Sequence, residues 1–383
     1  MNKNSNVIKS SLLQHSQAKV ALYGEYLSIY LNILSRTKHI DNILIFDLLC
    51  GEGLYKNNLK GSPLIALEKI KDHFILNENS QLKISLIFND NGFSQLTDNI
   101  KKVERLKSII EKNYIPNNVE IEYHDEEFEN ILFKSIKRVS SISKSKALFF
   151  IDPYGYKNIN PKHVKTILSL RSTEVILFLP ASHMYRFANK CLVTPFCGSD
   201  PLYDFLTELF SDPEPSFSSV DNFIYKCKEQ FKEYLKQEEI FVDSFAIERD
   251  KKNTYCLFFF TSNILGFEKM LEAKWKIDTE QGKGFKISNQ MSLFSGVKFS
   301  DYPKMLEKYL LENDNVTNKH IYYFGLDHGY LPKHSNEVLK ELKKSGKLEI
   351  ISIDGKPPKG FYISYRNYCE PPDRRVTFRI KSK

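Results

Sequence analysis

Five short apolar runs, each followed by a longer stretch of helical character, constrain this chain more than any other feature. They are Ile43-Leu44-Ile45-Phe46, Ile84-Ser85-Leu86-Ile87-Phe88, Val119-Glu120-Ile121-Glu122-Tyr123, Ala147-Leu148-Phe149-Phe150-Ile151 and Glu174-Val175-Ile176-Leu177-Phe178-Leu179. Runs this short, rich in β-branched and aromatic residues, suit strands buried on both faces. Strands that alternate with helices pair in parallel, which predicts a doubly wound α/β sheet. Ahead of them Val20, Leu22, Tyr23, Tyr26, Leu27, Tyr30, Leu31 and Leu34 recur at three- and four-residue steps, the period of an amphipathic helix over 16–35.

The rhythm breaks near 184–240, where Pro195, Pro201, Pro213 and Pro215 stand, and this stretch is expected to be an insertion. The apolar run 254–260 then supplies a further strand, in an edge hairpin after the fifth parallel one. From Asp301 the pattern changes to three short helices, 303–313, 318–325 and 333–345. A hairpin of 348–353 with 360–365 follows, turning at Asp354-Gly355. Three helices and a two-stranded wing make a winged helix-turn-helix. Two domains are therefore expected, 1–300 and 301–383.

Lys and Arg total 55 against 47 Asp and Glu, a formal charge of +8, which favours polyanionic partners. From Tyr302 onward 16 basic residues face 10 acidic ones. Lys333, His334, Lys340, Lys343 and Lys344 on the third helix, with Lys356 and Lys359 on the wing, are candidate phosphate contacts, and Ser335 and Asn336 candidate base readers. The partner this implies is DNA or RNA. The six cysteines form no CxxC pair and show no ligand spacing with the histidines, so reduced thiols and no metal site are expected. Residues 1–19 lack an apolar signal core, and no run approaches the ~18 apolar residues of a membrane span; a soluble, cytoplasmic protein is expected.

Chemistry gathers at the strand ends. The first run leads into Asp47-Leu48-Leu49-Cys50-Gly51-Glu52-Gly53, where the glycines let backbone approach a ligand and the acid holds an amine or hydroxyl. The third glycine of the dinucleotide fingerprint is absent. Asp90 after the second run suits ribose hydroxyls, and Asp125 after the third suits an adenine amino group. With Asp47, Cys50, Gly51 and Gly53 they outline a nucleoside-bearing cofactor site, read as S-adenosylmethionine on a Rossmann-like class I methyltransferase sheet. Cys50 itself reads as a packed small residue, since no base stands near it. Ser62-Pro63 reads as a helix start with Ser62 as N-cap. After the fourth run, Asp152-Pro153-Tyr154 would orient an exocyclic amine, with Tyr154 stacked on its base.

The segment Asp152-Pro153-Tyr154-Gly155 resembles the Asp-Pro-Phe-Gly of the transfer-RNA guanine-N2 dimethyltransferases. More of the chain resembles the three-Cys-motif partner protein family. That resemblance rests on Lys19 with the helix to Tyr30, 47–55, Gly61-Ser62-Pro63, 149–155, Arg186-Phe187, the aromatic strand from Tyr255 to Thr261, and the C-terminal winged helix. It implies a methyltransferase-like protein encoded beside a radical-SAM-like or phage-type protein that carries three clustered cysteines. This chain departs from the family pattern at Cys50, where alanine is frequent, and at Asn89, where a glutamate is expected. Two functions follow as expectations: methyl transfer to a base amine of nucleic acid, or a non-catalytic adaptor that binds the three-cysteine partner or nucleic acid.

Overall fold

The computed structural model describes residues 3–55, 58–73, 82–94, 99–153, 155–156, 159–194, 198–210, 215–250, 253–278, 284–286, 301–352, 355–356, 358–369 and 376–381. The chain divides into two compact units, Met1–Asn263 with Gly284–Ile287, and Ile264–Lys283 with Ser288–Lys383.

The first unit is an eight-stranded sheet. Its strands are β1 (Asn42–Asp47), β2 (Lys83–Asn89), β3 (Val119–His124), β4 (Ser145–Ile151), β5 (Thr173–Leu179), β6 (Phe241–Asp250), β7 (Asn253–Thr261) and β8 (Gly284–Lys286), in the order β3-β2-β1-β4-β5-β7-β6-β8. The first five are parallel, while β7 runs antiparallel between β5 and β6. This is the class I methyltransferase arrangement: five parallel strands whose order switches from leftward to rightward between β1 and β4, then a β6-β7 hairpin whose later strand is the inner one. Every residue of β5 is buried, whereas the edge strand β3 is only half-buried, which explains why it alone alternates with glutamates.

The helices of this unit are α1 (Lys3–Leu34), α2 (Ser62–Lys71), α3 (Lys102–Ile110), α4 (Phe128–Ser141), α5 (Pro161–Leu168), α6 (Ala181–Val193), α7 (Asp200–Leu209) and α8 (Val220–Tyr234). The expected insertion is the helical run α6 to α8, whose Met184, Phe205, Phe223 and Phe231 join the core with Phe258 and Phe260 of β7. Helix α1 crosses the sheet antiparallel to its strands. Lys19 meets Asp152 beyond the end of β4, and seven residues on Tyr26 donates to Glu174 at the start of β5. Between them Tyr23 packs on Phe150, ring centroids 4.4 Å apart.

The second unit holds α9 (Ile264–Ile277), α10 (Asp301–Glu312), β9 (Val316–Thr317), α11 (Asn318–Asp327), α12 (Pro332–Lys344), β10 (Leu348–Ser352), α13 (Tyr365–Cys369) and β11 (Val376–Ile380). It is a winged helix-turn-helix, but its wing differs from the expected hairpin. The partner of β10 is β11, paired from Leu348↔Ile380 to Ser352↔Val376, and β11 also pairs with β9. Residues 360–364 form no strand, and 365 onward is the short helix α13. The physical reason is alternation: Val376 and Phe378 are buried while Thr377 and Arg379, each following one of them, are not, the period of a half-buried strand.

Candidate functional site

Because β1 and β4 are neighbours whose connections leave in opposite directions, a crevice opens beyond their carboxyl ends, the place where open α/β sheets hold ligands. Asp47 closes β1 at its floor. Its side chain is 1% exposed, and neither carboxylate oxygen has a hydrogen-bond partner among the described residues. Burial pushes its carboxyl up to about 7 from an ordinary 3.8, with Asp152 and Asp90 adding to the rise, while the nearby Ser62 hydroxyl and Lys19 work against it.

Every other acid of the crevice has a cation. Lys19 of α1 pairs with Asp152, and its ammonium lies 4.8 Å from the Phe178 ring centroid. Burial opposes the charge of Lys19, but Asp152, Tyr55 and Asp47 outweigh it and hold the ammonium above its usual range. Around the N-terminal turn of α3, Lys102 reaches Asp90 at 3.2 Å, Arg105 reaches Glu52 at 2.8 Å and Lys101 stands 4.0 Å from Asp125. Asp90 also accepts from Gly51 N (3.0 Å) and Gly92 N (2.8 Å). A carboxylate has about four lone-pair sites, so Asp90 is committed inside the protein and fixes the Gly51 loop. Asp125 is the most open of the set, its side chain 59% exposed.

The loop after β1 is held by its backbone. Gly51 and Gly53 have φ of +67° and +81°, and Gly61 N donates to Gly53 O at 2.7 Å. A Cβ on Gly51 meets nothing within 4 Å, whereas one on Gly53 would stand 2.6 Å from Leu106 Cδ1. Gly53 is therefore a packing glycine as well as a turn, and a valine there would disturb the core. Cys50 is buried and its thiol is pushed well up by burial, which suits packing. Asn89, standing where a glutamate was expected, gives Nδ2 to the Leu48 and Glu126 carbonyls at 3.0 and 3.1 Å and accepts from Glu126 N at 2.9 Å. It clamps three strand ends together. Ser62 does not cap α2: Gly61 is the N-cap and no side-chain cap bond forms, so the buried serine is free to face Asp47. Pro153 is half-buried, and Tyr154 lies outside the described residues. Lys19 was visible in the sequence only as part of a resemblance; its spacing to Tyr23 and Tyr26 on one helical face was the signal that it points inward.

In the second unit, Lys333, Lys340, Lys343, Lys344 and Lys359 line one groove of about 920 Å³ between α12 and the wing. Lys356 is exposed on the wing and does not line the groove. Two neighbours have other duties. His334 is 3% exposed, packs 4.3 Å from the Trp275 ring and accepts from Leu331 N at 3.0 Å; burial lowers its imidazole to about 4, with Lys333 adding to the fall. It is a neutral core residue, not a phosphate contact. Ser335 is buried with its hydroxyl 2.6 Å from Tyr302 Oη and does not face a base.

Residues 278–355 match the family described as a GMT-like wHTH domain. No curated protein sequence matches the chain. Solved structures similar to it include a protein of Legionella pneumophila, 14% identical, covering 68% of this chain and 90% of that one with a TM-score of 0.39. Another is Trm1 from Pyrococcus horikoshii with S-adenosyl-L-methionine, 11% identical, covering 67% and 58% with a TM-score of 0.37. A third is an O-methyltransferase from Bacillus cereus in complex with SAH, 13% identical, covering 66% and 90% with a TM-score of 0.30. Among the described residues no helix is long and apolar enough to cross a membrane.

Proposed function

We propose that the first unit binds S-adenosylmethionine in the β1–β4 crevice and that the chain methylates an exocyclic amine of a nucleic-acid base, with the winged helix holding the nucleic acid. One observation carries the cofactor part: Asp47 is the buried acid of the crevice whose oxygens, apart from the Ser62 hydroxyl close enough to favour its ionised form, have no hydrogen bond of ordinary geometry among the described residues, and a buried polar group left so poorly paired asks for an explanation. A ligand ammonium beside it supplies one. Gly51 lies next to it with open space where a side chain would project, which suits close backbone contact.

When bound, the cofactor supplies a methyl group on a sulfonium, a transfer governed mainly by alignment. On this reading Asp47 holds the amino group, and the Gly51–Gly53 turn gives the ligand room. Asp152 Oδ2 is taken by Lys19, so its Oδ1, with the Pro153 backbone, is what remains to accept from a target amine. For Asp90 to take a ribose, Lys102 must give way.

The Lys19–Asp152 pair also favours a second reading, in which the crevice is structurally locked and the chain is a non-catalytic adaptor for nucleic acid or a three-cysteine partner protein. Calorimetry with S-adenosylmethionine and S-adenosylhomocysteine separates the two. Binding should be micromolar in the wild type and lost in Asp47→Asn. Because an ammonium favours ionised Asp47, binding below pH ~7 should release protons, read as a dependence of heat on buffer ionisation. Absence of binding at millimolar ligand leaves the adaptor.

A further inference from the structure

The groove of the second unit has a floor as well as a cationic rim. Ile350 of β10 and Phe361 line it together with the lysines, and Glu337 is its acidic side chain. Both apolar residues are partly exposed. None of the five lining lysines makes an ion pair among the described residues. Two features decide what such a groove takes. First, the side chains that would read base edges from α12 are few and partly engaged: Ser335 is buried and bonded to Tyr302, and Asn336, which lines the groove, gives one amide hydrogen to Pro332 O at 2.8 Å. Duplex readers depend on such groups projecting from the recognition helix into the major groove. Second, unpaired lysines around a concave surface that includes an aromatic ring match the chemistry of single strands, whose backbone follows the cations while bases stack on the ring.

We propose that this groove binds a single-stranded segment of nucleic acid without sequence preference, phosphates on the lysines and a base stacked on Phe361. The inference rests on the nucleic-acid part of the proposed function and narrows its substrate class. Fluorescence anisotropy of the intact chain tests it, using a labelled oligouridylate of about 12 nucleotides and a duplex of the same length, a size within the range of single-strand sites. The single strand should bind at least about tenfold tighter than the duplex. Phe361→Leu, which keeps apolar bulk but removes the ring, should weaken single-strand binding by roughly 5- to 150-fold, the range for one stacked base, and leave duplex binding unchanged. Phe361→Trp should retain single-strand affinity, and equal melting temperatures would show that the variants fold. Duplex binding as tight as single-strand binding, or unchanged single-strand affinity in a folded Phe361→Leu, overturns the inference while the nucleic-acid reading stands. Binding of neither oligonucleotide overturns both.

Discussion

Gly51 and Gly53 differ in what a methyl group would meet, and two unlike variants follow. Both carry positive φ, +67° and +81°, a region that costs an L side chain about 1–2 kcal/mol. At Gly51 this is the whole cost, since a Cβ finds nothing within 4 Å. At Gly53 the Cβ would stand 2.6 Å from Leu106 Cδ1, and Leu106 is fully buried on α3, with little room to turn aside. Overpacking of this kind adds about 1–3 kcal/mol. Gly51→Ala should therefore lose about 1–2 kcal/mol and Gly53→Ala about 2–5 kcal/mol, read as urea midpoints at unchanged slope. Ligand binding should reverse the ranking of severity relative to fold: Gly51→Ala should stay folded yet lose S-adenosylhomocysteine binding by calorimetry, because on the proposed function the open space its methyl enters is the ligand's. Equal midpoints for the two variants would refute the packing argument. Wild-type affinity in folded Gly51→Ala would refute the ligand's place.

Asp47 has a folded pKa of about 7 against an ordinary 3.8, so the native state holds its proton more tightly; the stability this gives is full below about pH 4 and is lost as pH rises through 7. Asp47→Asn should flatten that slope and exceed the wild type in stability at pH 8 but not at pH 4, and parallel pH profiles would contradict the raised pKa. Lys19→Met leaves Asp152 without its cation and should cost about 3 kcal/mol, the low end for a broken buried pair because Asp152 keeps some water contact; adding Asp152→Leu should recover most of it, and a single variant as stable as the wild type would show that the pair contributes nothing. Reversing Lys340, Lys343 and Lys344 to glutamate should flatten the slope of log affinity against log salt by up to roughly three units, with ligand heats in the first unit unchanged; an unaltered slope in an oligonucleotide titration would place the contact surface elsewhere.

The five parallel strands were legible because strands covered on both faces carry apolar side chains at nearly every position. The strand β6 was not, since Asp243, Ser244 and Glu248 interrupt it and its place beside β7 is set by pairing rather than by an apolar run. The wing partner was misplaced for a related reason: 360–365 is nearer in sequence, but the alternation that builds a half-buried strand lies in β11. At the crevice, Asp47 and the two glycines stand in one motif, so their convergence was readable. Their neighbours' partners were not. Asp152 is paired with a lysine 133 positions away, and Asp90 with one 12 positions away on a helix of its own, and local spacing carries no information about either pair.

Charge pairing then separates what the two units are built to meet. Cations on α3 and α1 are spent on acids of the crevice, which leaves its electrostatics nearly balanced and its one buried, unpartnered acid among the described residues at the floor. On α12 the opposite holds. Its apolar face buries Val338, Leu339 and Leu342, while Lys333, Lys340 and Lys344 recur at steps of seven and four residues along the exposed one, and none of them is ion-paired among the described residues although Glu337 lies among them. Like charges held side by side repel, and that repulsion is relieved when a polyanion displaces the counterions around them. On the proposed function, a single cationic group would complete the first site and a run of phosphates the second. Different variants should therefore abolish the two binding activities: Asp47→Asn the first alone, and the α12 reversals the second alone.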